Sequence, residues 1–535
     1  MCCLSQTYSQ TRTFTLQDSL RGSITKERKW WDLTYYHLNI DVNPTDSTIE
    51  GTNTVKYRVV EDYSIMQIDL QPPLRLYRAI QNGKLLQIVQ NGNAHFIHLI
   101  EKQIPGSIKE IELHYGGRPR IARRPPWDGG ITWAKDNNGK PFIASSCQGI
   151  GASIWWPCKD HLYDEPDSML ISVRVPEDLV NVSNGRFRLV ESHDDQTKTY
   201  HWFVSNPINN YGVNINIGDY AHFSETFPGE KGALDCDYYV LRDNLEKAKE
   251  HFKQAGQTLE AFEYWFGPYP FYEDGYKLVE APYLGMEHQS SVTYGNGYQN
   301  GYLGRDLSQS GWGDRFDFII VHESGHEWFA NNITYRDIAD MWIHESFTNY
   351  SESLFVEYHF GKQAGAEYVL GTRRGIQNDR PIIGVYDVNQ KGSNDMYPKG
   401  GNILHTLRQI VNDDEKWREI FRGLNRDFYH QTVTSKQIES YMDAAIDQDL
   451  SPFFDQYLRD VRIPVLEYVL KDNELSYRWS NCNGSFNMPV KVFLSGEEVW
   501  LYPRKQWMRK HLDTQVEDFS IDPNFYVGAL NITGN

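Results

Sequence analysis

The 535-residue sequence has few cysteines, no long apolar run and no cluster of basic residues. The six cysteines show no paired CxxC spacing, which excludes a disulfide framework and favours small buried or free thiols. They are Cys2, Cys3, Cys147, Cys158, Cys236 and Cys482. No apolar stretch approaches the roughly 20 residues that span a bilayer, so no integral membrane segment is predicted. A net charge of −18 without clustered Lys and Arg excludes nucleic-acid binding and favours neutral or basic substrates.

The start of the chain, MCCLSQTYSQTRTF, lacks the basic and long apolar regions of a signal peptide. It also fits the cut edge of one, so the compartment stays open. The abundance of Tyr, Trp and Asn favours an extracytoplasmic protein, periplasmic or secreted, over a cytoplasmic one.

Two parts of the sequence alternate apolar and polar residues with a period of two, which predicts β-strands. The first covers 34–226, with alternations such as Leu38 and Ile40 between Gly, Asn and Pro turns. It predicts a large antiparallel β domain. The second begins after Arg462 and predicts a small β-sandwich.

The stretch between these two β regions shows helical periodicity. Over 245–266 apolar residues recur every three or four positions on one face, and Gly267 is a stop signal, so one long helix is predicted. Further helices are predicted over 316–331, 339–359 and 401–411. The middle of the chain is therefore expected to be mainly helical.

The stretch FDFIIVHESGHEWFANN, residues 316–332, contains an HExxH motif. Its apolar flanks suit a buried helix, from which His322 and His326, four residues apart, project on one face. Two imidazoles placed in this way provide two ligands of a tetrahedral zinc ion. Glu323 can reach the fourth coordination position and act on a zinc-activated water as general base.

A third zinc ligand is predicted in ADMWIHESFTNYSESLF, residues 339–355. Glu345 lies on a second predicted helix, with eighteen residues between it and His326. Glu352 is two turns further along the same face and is suited to orient a ligand histidine. The alternative interpretation is a helix with ordinary surface carboxylates.

The HExxH motif, the eighteen-residue gap and the following glutamate resemble the gluzincin zinc aminopeptidases of peptidase family M1. Three other segments agree, in the order of the family. SSCQGIGASIWWPCKDHLYDEPD (145–167) resembles its β-domain segment, APYLGMEHQSS (281–291) its GAMEN exopeptidase motif, and MYPKGGNILHTLR (396–408) its Tyr-x-Lys-Gly segment. On these motifs the chain is identified as a member of the family.

The resemblance implies a multidomain α+β fold with a thermolysin-like, mainly helical catalytic domain. The predicted limits are 1–33 for an N-terminal extension, 34–227 for the N-terminal antiparallel β domain, 228–460 for the zinc catalytic domain and 461–535 for the C-terminal β-sandwich. Many family members carry a helical C-terminal domain over the cleft. This sequence is expected to be a short form without that domain and with an open cleft, while its oligomeric state stays open.

The resemblance also implies a catalytic centre with one zinc ion per chain. His322, His326 and Glu345 would be the metal ligands. Glu323 would take a proton from water and later deliver it to the leaving amine. Tyr397, in the Tyr-x-Lys-Gly segment, would stabilise the oxyanion.

Substrate binding is assigned by the same resemblance. Glu287 would pair with the α-ammonium group of a peptide with a free N-terminus, and Gln148 would accept another of its N–H groups. Gly285 and Met286 belong to the same substrate-binding segment. These acceptors would be left unpaired beneath an internal peptide bond, which opposes endopeptidase action.

The sequence departs from the family pattern beside the predicted catalytic residues. Leu284 stands where the motif usually has Gly, and Gly285 where it often has Ala. His288 and His344 each replace a usual Asn, and Ser346 replaces a Gly. The two histidines are interpreted as pocket or supporting residues, because three ligands and a water already fill a catalytic zinc site. These changes leave the shape of the first side-chain pocket open.

The leading hypothesis is a zinc aminopeptidase. One alternative is epoxide hydrolysis of the leukotriene hydrolase type, which would need a long lipid tunnel. Another is a catalytically weak peptide-binding protein. That reading predicts the loss of a ligand, of Glu323 or of Tyr397, and all of them are present.

Overall fold

The computed structural model describes residues 13–512, 516 and 518–532. The first twelve residues of the predicted N-terminal extension, with Cys2 and Cys3, lie outside the described residues. After them come two short helices, α1 (Leu16–Gly22) and α2 (Lys26–Lys29). The cysteines in the described ranges are buried free thiols. No helix in these ranges is both long and apolar enough to cross a membrane.

The N-terminal part of the chain consists of strands whose apolar faces pack together. They are β1 (Trp31–Asn43), β2 (Thr48–Val59), β3 (Ile65–Asp69), β4 (Arg75–Gln81), β5 (Lys84–Leu85), β6 (Gln87–Asn91), β7 (Ala94–His98), β8 (Ile108–Gly117), β9 (Gly130–Lys135), β10 (Pro141–Ser146), β11 (Ser168–Pro176), β12 (Val180–Val182), β13 (Arg186–Ser192), β14 (Thr197–Val204) and β15 (Asn216–Gly218). The predicted large β domain is confirmed, and β1 and β2 bury alternate residues as their sequences suggest.

These strands form three sheets. The largest has the order β13-β14-β11-β1-β2-β8-β4-β5, and the smaller ones are β12-β15-β10-β9 and β3-β7-β6. All neighbours pair antiparallel except β1 and β11, which are parallel. A parallel pair needs a long connection, supplied here by the strands between them, and alternation in the sequence does not reveal it.

The middle of the chain contains one mixed sheet and most of the helices. The sheet has the order β16-β17-β18-β20-β19, formed by β16 (Tyr220–Gly229), β17 (Gly232–Leu241), β18 (Tyr276–Glu280), β19 (Gly285–Met286) and β20 (Val292–Tyr294). The helices are α3 (Leu245–His251), α4 (Lys253–Phe266), α5 (Phe318–Gly325), α6 (Trp342–Phe360), α7 (Lys362–Thr372), α8 (Pro398–Val411), α9 (Asp414–Asp427), α10 (Ser435–Ile446) and α11 (Ser451–Leu458). A parallel pair, β21 (Ile333–Tyr335) with β22 (Gln431–Val433), joins the helical segments.

The prediction of one long helix over 245–266 is wrong, because α3 and α4 are separate helices that meet at Phe252. The backbone of Phe252 has ψ near 0°, and its carbonyl accepts from Ala255 three residues later rather than four. Its ring packs against Phe223, Tyr238 and Tyr294. The two helices thus meet at a residue whose ring is buried against the sheet.

The predicted helix over 316–331 is also shorter than expected. It ends at Gly325 and continues as a π-helical turn, Glu327–Asn332, in which Phe329 leaves helical geometry. The imidazole Nδ1 of His326 lies 3.0 Å from the carbonyl oxygen of Phe329. That side-chain bond uses a carbonyl that a regular helix would use itself. Helices predicted over 339–359 and 401–411 are confirmed as α6 and α8.

The end of the described chain is again built from strands. They are β23 (Val465–Lys471), β24 (Glu474–Ser480), β25 (Val490–Leu494), β26 (Glu497–Leu501), β27 (Met508–His511), β28 (Phe519–Ile521) and β29 (Gly528–Asn531). They form the sheets β27-β24-β23-β29 and β26-β25-β28, as the predicted β-sandwich requires. The predicted domain limits at 33, 227 and 460 stay a prediction.

Two apolar cores define the molecule. One joins the N-terminal strands, and the other joins the helices to the C-terminal strands. The segment that leads to β19 belongs to both, because Val279 and Met286 pack on the first core while Leu278 and Val292 pack on the second. The predicted substrate-binding segment is thereby held where the two cores meet.

Candidate metal centre and active site

The two histidines of the HExxH motif project from the end of α5. The Asp317 carboxylate caps this helix by accepting from the backbone N–H groups of Ile319 and Ile320, which fixes where the helix begins. The imidazoles of His322 and His326 are buried, and their ring centroids are 4.9 Å apart. One helical turn thus places both rings on one face, as the spacing predicts.

Glu345, in the first turn of α6, directs its carboxylate toward both histidines. Its Oε2 lies 3.5 Å from Nε2 of His326 and 3.9 Å from Nε2 of His322. This oxygen is buried and has no hydrogen-bond partner among the described residues. Tetrahedral zinc, with N and O ligands at about 2.0–2.2 Å, brings its ligand atoms to roughly 3.4 Å from one another. The three side chains therefore fit a zinc ion, which would give the orphaned oxygen its partner.

The electrostatics of this cluster keep the third ligand ionised. Burial raises the pKa of Glu345, but the nearby imidazoles of His326 and His322 outweigh burial and lower it to about 2. Burial lowers the pKa of His326, yet the carboxylates of Glu345, Glu287 and Glu323 outweigh it and raise that pKa to about 10. The carboxylates of Glu345, Glu287 and Glu323 thus make this pocket acidic and favour the binding of positive charge.

A second layer of contacts orients the imidazoles. Glu352 Oε1 lies 2.8 Å from Nδ1 of His322, and the Tyr368 hydroxyl donates to its other oxygen at 2.8 Å. Nδ1 of His326 is held by the Phe329 carbonyl, as described above. Both Nδ1 atoms therefore have hydrogen-bond partners, and both Nε2 atoms face Glu345. The sequence had singled out Glu352 for this contact, but not the carbonyl.

Replacement of Glu352 by Gln is expected to weaken zinc affinity by about 10- to 100-fold, because the acceptor that fixes His322 loses its charge. The measurement is a competition titration against a chromophoric zinc chelator. Glu263→Gln is the matched control, since Glu263 is buried in α4 away from the cluster and bonds Tyr269 and Tyr272. Equal zinc affinity in the two variants would remove the orienting role from Glu352.

Two further carboxylates, Glu323 and Glu287, face the same cluster. Ligand atoms of Glu287, Glu323 and His326 all lie within 4.8 Å of one another. Burial is the main cause that raises the pKa of Glu323 to about 7, and burial also raises the pKa of Glu287. Gly285 makes room for Glu323, because a Cβ at this glycine would lie 3.0 Å from its Oε1 and 2.6 Å from Ile319. The alanine that the family often carries here would crowd Glu323.

Gln148 connects the N-terminal strands to this cluster. It follows β10, and its amide group donates to Oε1 of Glu287 and, at 2.9 Å, to Oε1 of Glu345. Both donors of the amide are used in this way, and its carbonyl oxygen is left as an acceptor. An ammonium group bound between Gln148 and Glu287 would therefore lie close to Glu345, a candidate zinc ligand, because Gln148 bonds both carboxylates.

Tyr397 precedes α8, and its ring centroid lies 6.2 Å from that of His322. Burial, followed by the charges of Glu345 and Glu287, raises the pKa of the phenol well above its usual value, so it stays a neutral donor. Ser346 secures the segment, because its hydroxyl donates to the Met396 carbonyl at 2.7 Å. Gly400 leaves room for this hydroxyl, because a Cβ at position 400 would lie 2.0 Å from the Ser346 oxygen.

The unusual histidines serve as packing and hydrogen-bonding groups. His344 accepts from the Tyr335 backbone N–H at 2.8 Å, and its Nδ1 lies 3.2 Å from the Tyr211 hydroxyl. Tyr211 in turn interacts with the Glu287 carboxylate. His288 is buried, its Nδ1 lies 3.2 Å from Thr293 Oγ1, and burial lowers its pKa to about 3. Neither histidine joins the metal-capable groups found among the described residues.

A cleft of about 530 Å³ contains all ten residues that the sequence nominated. They are Gln148, Gly285, Met286, Glu287, His322, Glu323, His326, Glu345, Glu352 and Tyr397. Sequence reasoning missed Trp127 and Lys391, which also line the cleft, and Tyr211 behind Glu287. Trp127 lies in a loop and is 66% exposed, and no motif or periodicity marks any of the three.

The fold and this donor set define a candidate metal site, and comparisons with known proteins show what the chain resembles. Residues 250–457 match the model of the peptidase family M1 domain. A probable aminopeptidase from Sulfurisphaera tokodaii is 21% identical over 415 residues, which are 72% of this chain and 50% of that protein. Leukotriene A-4 hydrolase from Xenopus laevis is 22% identical over 439 residues, 77% of this chain and 68% of that protein.

A crystal structure of an M1 zinc metallopeptidase mutant from Deinococcus radiodurans, bound to a Tyr-Ser-Ala substrate, has the same fold. Its TM-score is 0.65 at 19% identity, over 81% of this chain and 95% of that one. Over residues 250–457 the chain matches the peptidase family M1 domain, as the motifs had indicated. It spans half the length of the Sulfurisphaera relative.

Proposed function

We propose that the chain is a zinc-dependent aminopeptidase that removes N-terminal residues from peptides. The observation that carries the proposal is the bridge from Gln148 to Glu287 and Glu345. It couples two acceptors for an ammonium group to a ligand of the candidate metal. The tripeptide substrate named for the Deinococcus structure supports peptides as the substrate class.

Substrate binding starts at the charged end of the peptide. Glu287 and the carbonyl oxygen of Gln148 accept from the α-ammonium, and Tyr211, which contacts His344, interacts with Glu287 from behind. The buried site allows these acceptors little water, so a neutral peptide group in their place would leave them unpaired. Substrate length is thereby measured from the N-terminus.

The chemical step is divided among three groups of the chain. His322, His326 and Glu345 would hold zinc, which, when bound, supplies Lewis-acid polarisation of the scissile carbonyl and of water. Glu323 accepts the proton of the attacking water at its carboxylate and later delivers it to the leaving nitrogen. The Tyr397 hydroxyl donates to the carbonyl oxygen as negative charge develops there.

The test is a panel of aminoacyl p-nitroanilides, each assayed beside its N-acetylated twin, with and without a zinc chelator. The free-amine set is expected to be cleaved at least about tenfold faster, because acetylation removes the charge that Glu287 binds. The chelator is expected to stop both. Equal cleavage of the acetylated set would refute the roles of Glu287 and Gln148. No cleavage with zinc bound would favour the peptide-binding or epoxide hydrolase alternatives.

A further inference from the structure

Lys391 is an unpaired cation in the proposed peptide cleft. Among the described residues that line this cleft it is the one lysine or arginine, and it is half-buried. No carboxylate of the described chain lies within ion-pair distance of its ammonium group. Other basic side chains nearby are engaged: Arg373 bonds Asn402 and Lys399 bonds the Asp460 carbonyl. A partly desolvated lysine without a counter-ion favours an anion from outside the chain.

The backbone around Lys391 is fixed at both ends of its loop. The N–H group of Ser393 donates to the carbonyl of Pro381 at 2.9 Å. The side-chain amide of Asn389 donates to the carbonyl of Gly149 at 3.2 Å. Lys391 follows two residues later, so its side chain starts from a positioned backbone rather than from a free loop tip.

The contact with Gly149 indicates which part of the cleft Lys391 serves. Gly149 is the neighbour of Gln148, whose amide lies between Glu287 and Glu345. Lys391 lines the same cleft as Gln148 and Glu287, and its loop contacts the residue next to Gln148. The side chain of the substrate's first residue would enter this same cleft, because its α-ammonium would be held there by Gln148 and Glu287.

We propose that Lys391 is a specificity residue that selects peptides with an N-terminal glutamate or aspartate. The inference rests on the proposed aminopeptidase function and names its substrate class. The lysine ammonium would donate a charge-assisted hydrogen bond to the substrate's side-chain carboxylate. A first residue with a lysine or arginine side chain would instead meet a like charge.

The net charge of −18 suggested the opposite preference. Charges beyond about 8 Å are largely screened at physiological ionic strength, so the surface of the chain contributes little at this subsite. The carboxylates inside the cleft have other partners or roles: Gln148 bonds Glu287 and Glu345, and His322 contacts Glu352. Glu323 is assigned to proton transfer. Lys391 is the one lysine or arginine among the described residues that line the cleft, and it decides the charge preference for the substrate's first side chain.

The test compares glutamyl with glutaminyl p-nitroanilide, which differ in charge and hardly in shape. Wild type is expected to show a higher kcat/KM for the glutamyl substrate, and Lys391→Gln to lower the glutamyl-to-glutaminyl ratio by about 10- to 100-fold. Lys391→Arg is expected to retain the preference. Arg374→Gln is the control, because it changes net charge equally but Arg374 bonds Gln309 outside this cleft. It is expected to leave the ratio unchanged.

Calorimetric titration of L-glutamate and L-glutamine into wild type and Lys391→Gln provides a readout that does not depend on turnover. Tighter binding of L-glutamate that is lost in Lys391→Gln is the expected result. If free-amine substrates are cleaved but the ratio ignores Lys391, this inference fails and the aminopeptidase stands. If no substrate is cleaved with zinc bound, the proposed function fails. The titration then decides on Lys391 alone, and equal binding of the two amino acids refutes its role.

Discussion

Glu323→Gln is expected to lower kcat/KM for free-amine p-nitroanilides by about 10³- to 10⁴-fold, the full contribution of a positioned general base. The glutamine side chain has nearly the same shape but does not accept a proton. Glu323 faces the cluster of Glu287 and His326 within 4.8 Å, and burial raises its pKa to about 7. A base whose pKa lies near the working pH accepts and returns a proton at little cost in free energy in either direction. Steady-state rates at saturating zinc measure the effect.

The variant must keep its metal for this result to concern the base. His322, His326 and Glu345 are unchanged in it, so zinc content by atomic absorption is expected to equal that of wild type. Glu263→Gln again controls for the loss of one buried carboxylate and is expected to retain activity. Glu287 is the other carboxylate near the reacting centre. More than a tenth of wild-type activity in Glu323→Gln would move the general-base role to it.

The parts of the site that lie close together in sequence were predictable. His322 and His326 are one helical turn apart, and α6 forms where the pattern around Glu345 predicts it. Local spacing and helix geometry suffice for such cases. Alternation likewise predicted the N-terminal and C-terminal strands, because each has one buried face.

Other features depend on contacts between distant segments. Gln148 meets Glu287 across 139 positions, and family resemblance rather than spacing brought them together. Phe252, where α3 and α4 meet, packs on rings that lie on β17 and β20, and helical periodicity does not reveal these contacts. Lys391 belongs to no motif, and its proposed role follows only from the cleft that it lines and from the contact of its loop with Gly149. Single-sequence patterns record which face is buried, not what lies against it.

Tyr397→Phe is expected to lower kcat by about 10²- to 10³-fold with little change in KM, as for the loss of one oxyanion donor. The hydroxyl acts only when the carbonyl oxygen gains charge, so its removal leaves ground-state binding intact. Burial and the carboxylates of Glu345 and Glu287 keep the phenol protonated, hence available as a donor at neutral pH. Initial rates over a range of substrate concentration separate kcat from KM.

The control for Tyr397 is a tyrosine whose hydroxyl bonds elsewhere. Tyr441 on α10 donates to the carbonyl of Ile420 and does not line the cleft, so Tyr441→Phe is expected to leave kcat unchanged. If Tyr397→Phe raised KM alone, the hydroxyl would bind the ground-state peptide equally well, and the oxyanion would need another donor. A loss in kcat alone, with zinc retained, would support the oxyanion role of the Tyr397 hydroxyl, whose segment is secured by the Ser346 contact with the Met396 carbonyl.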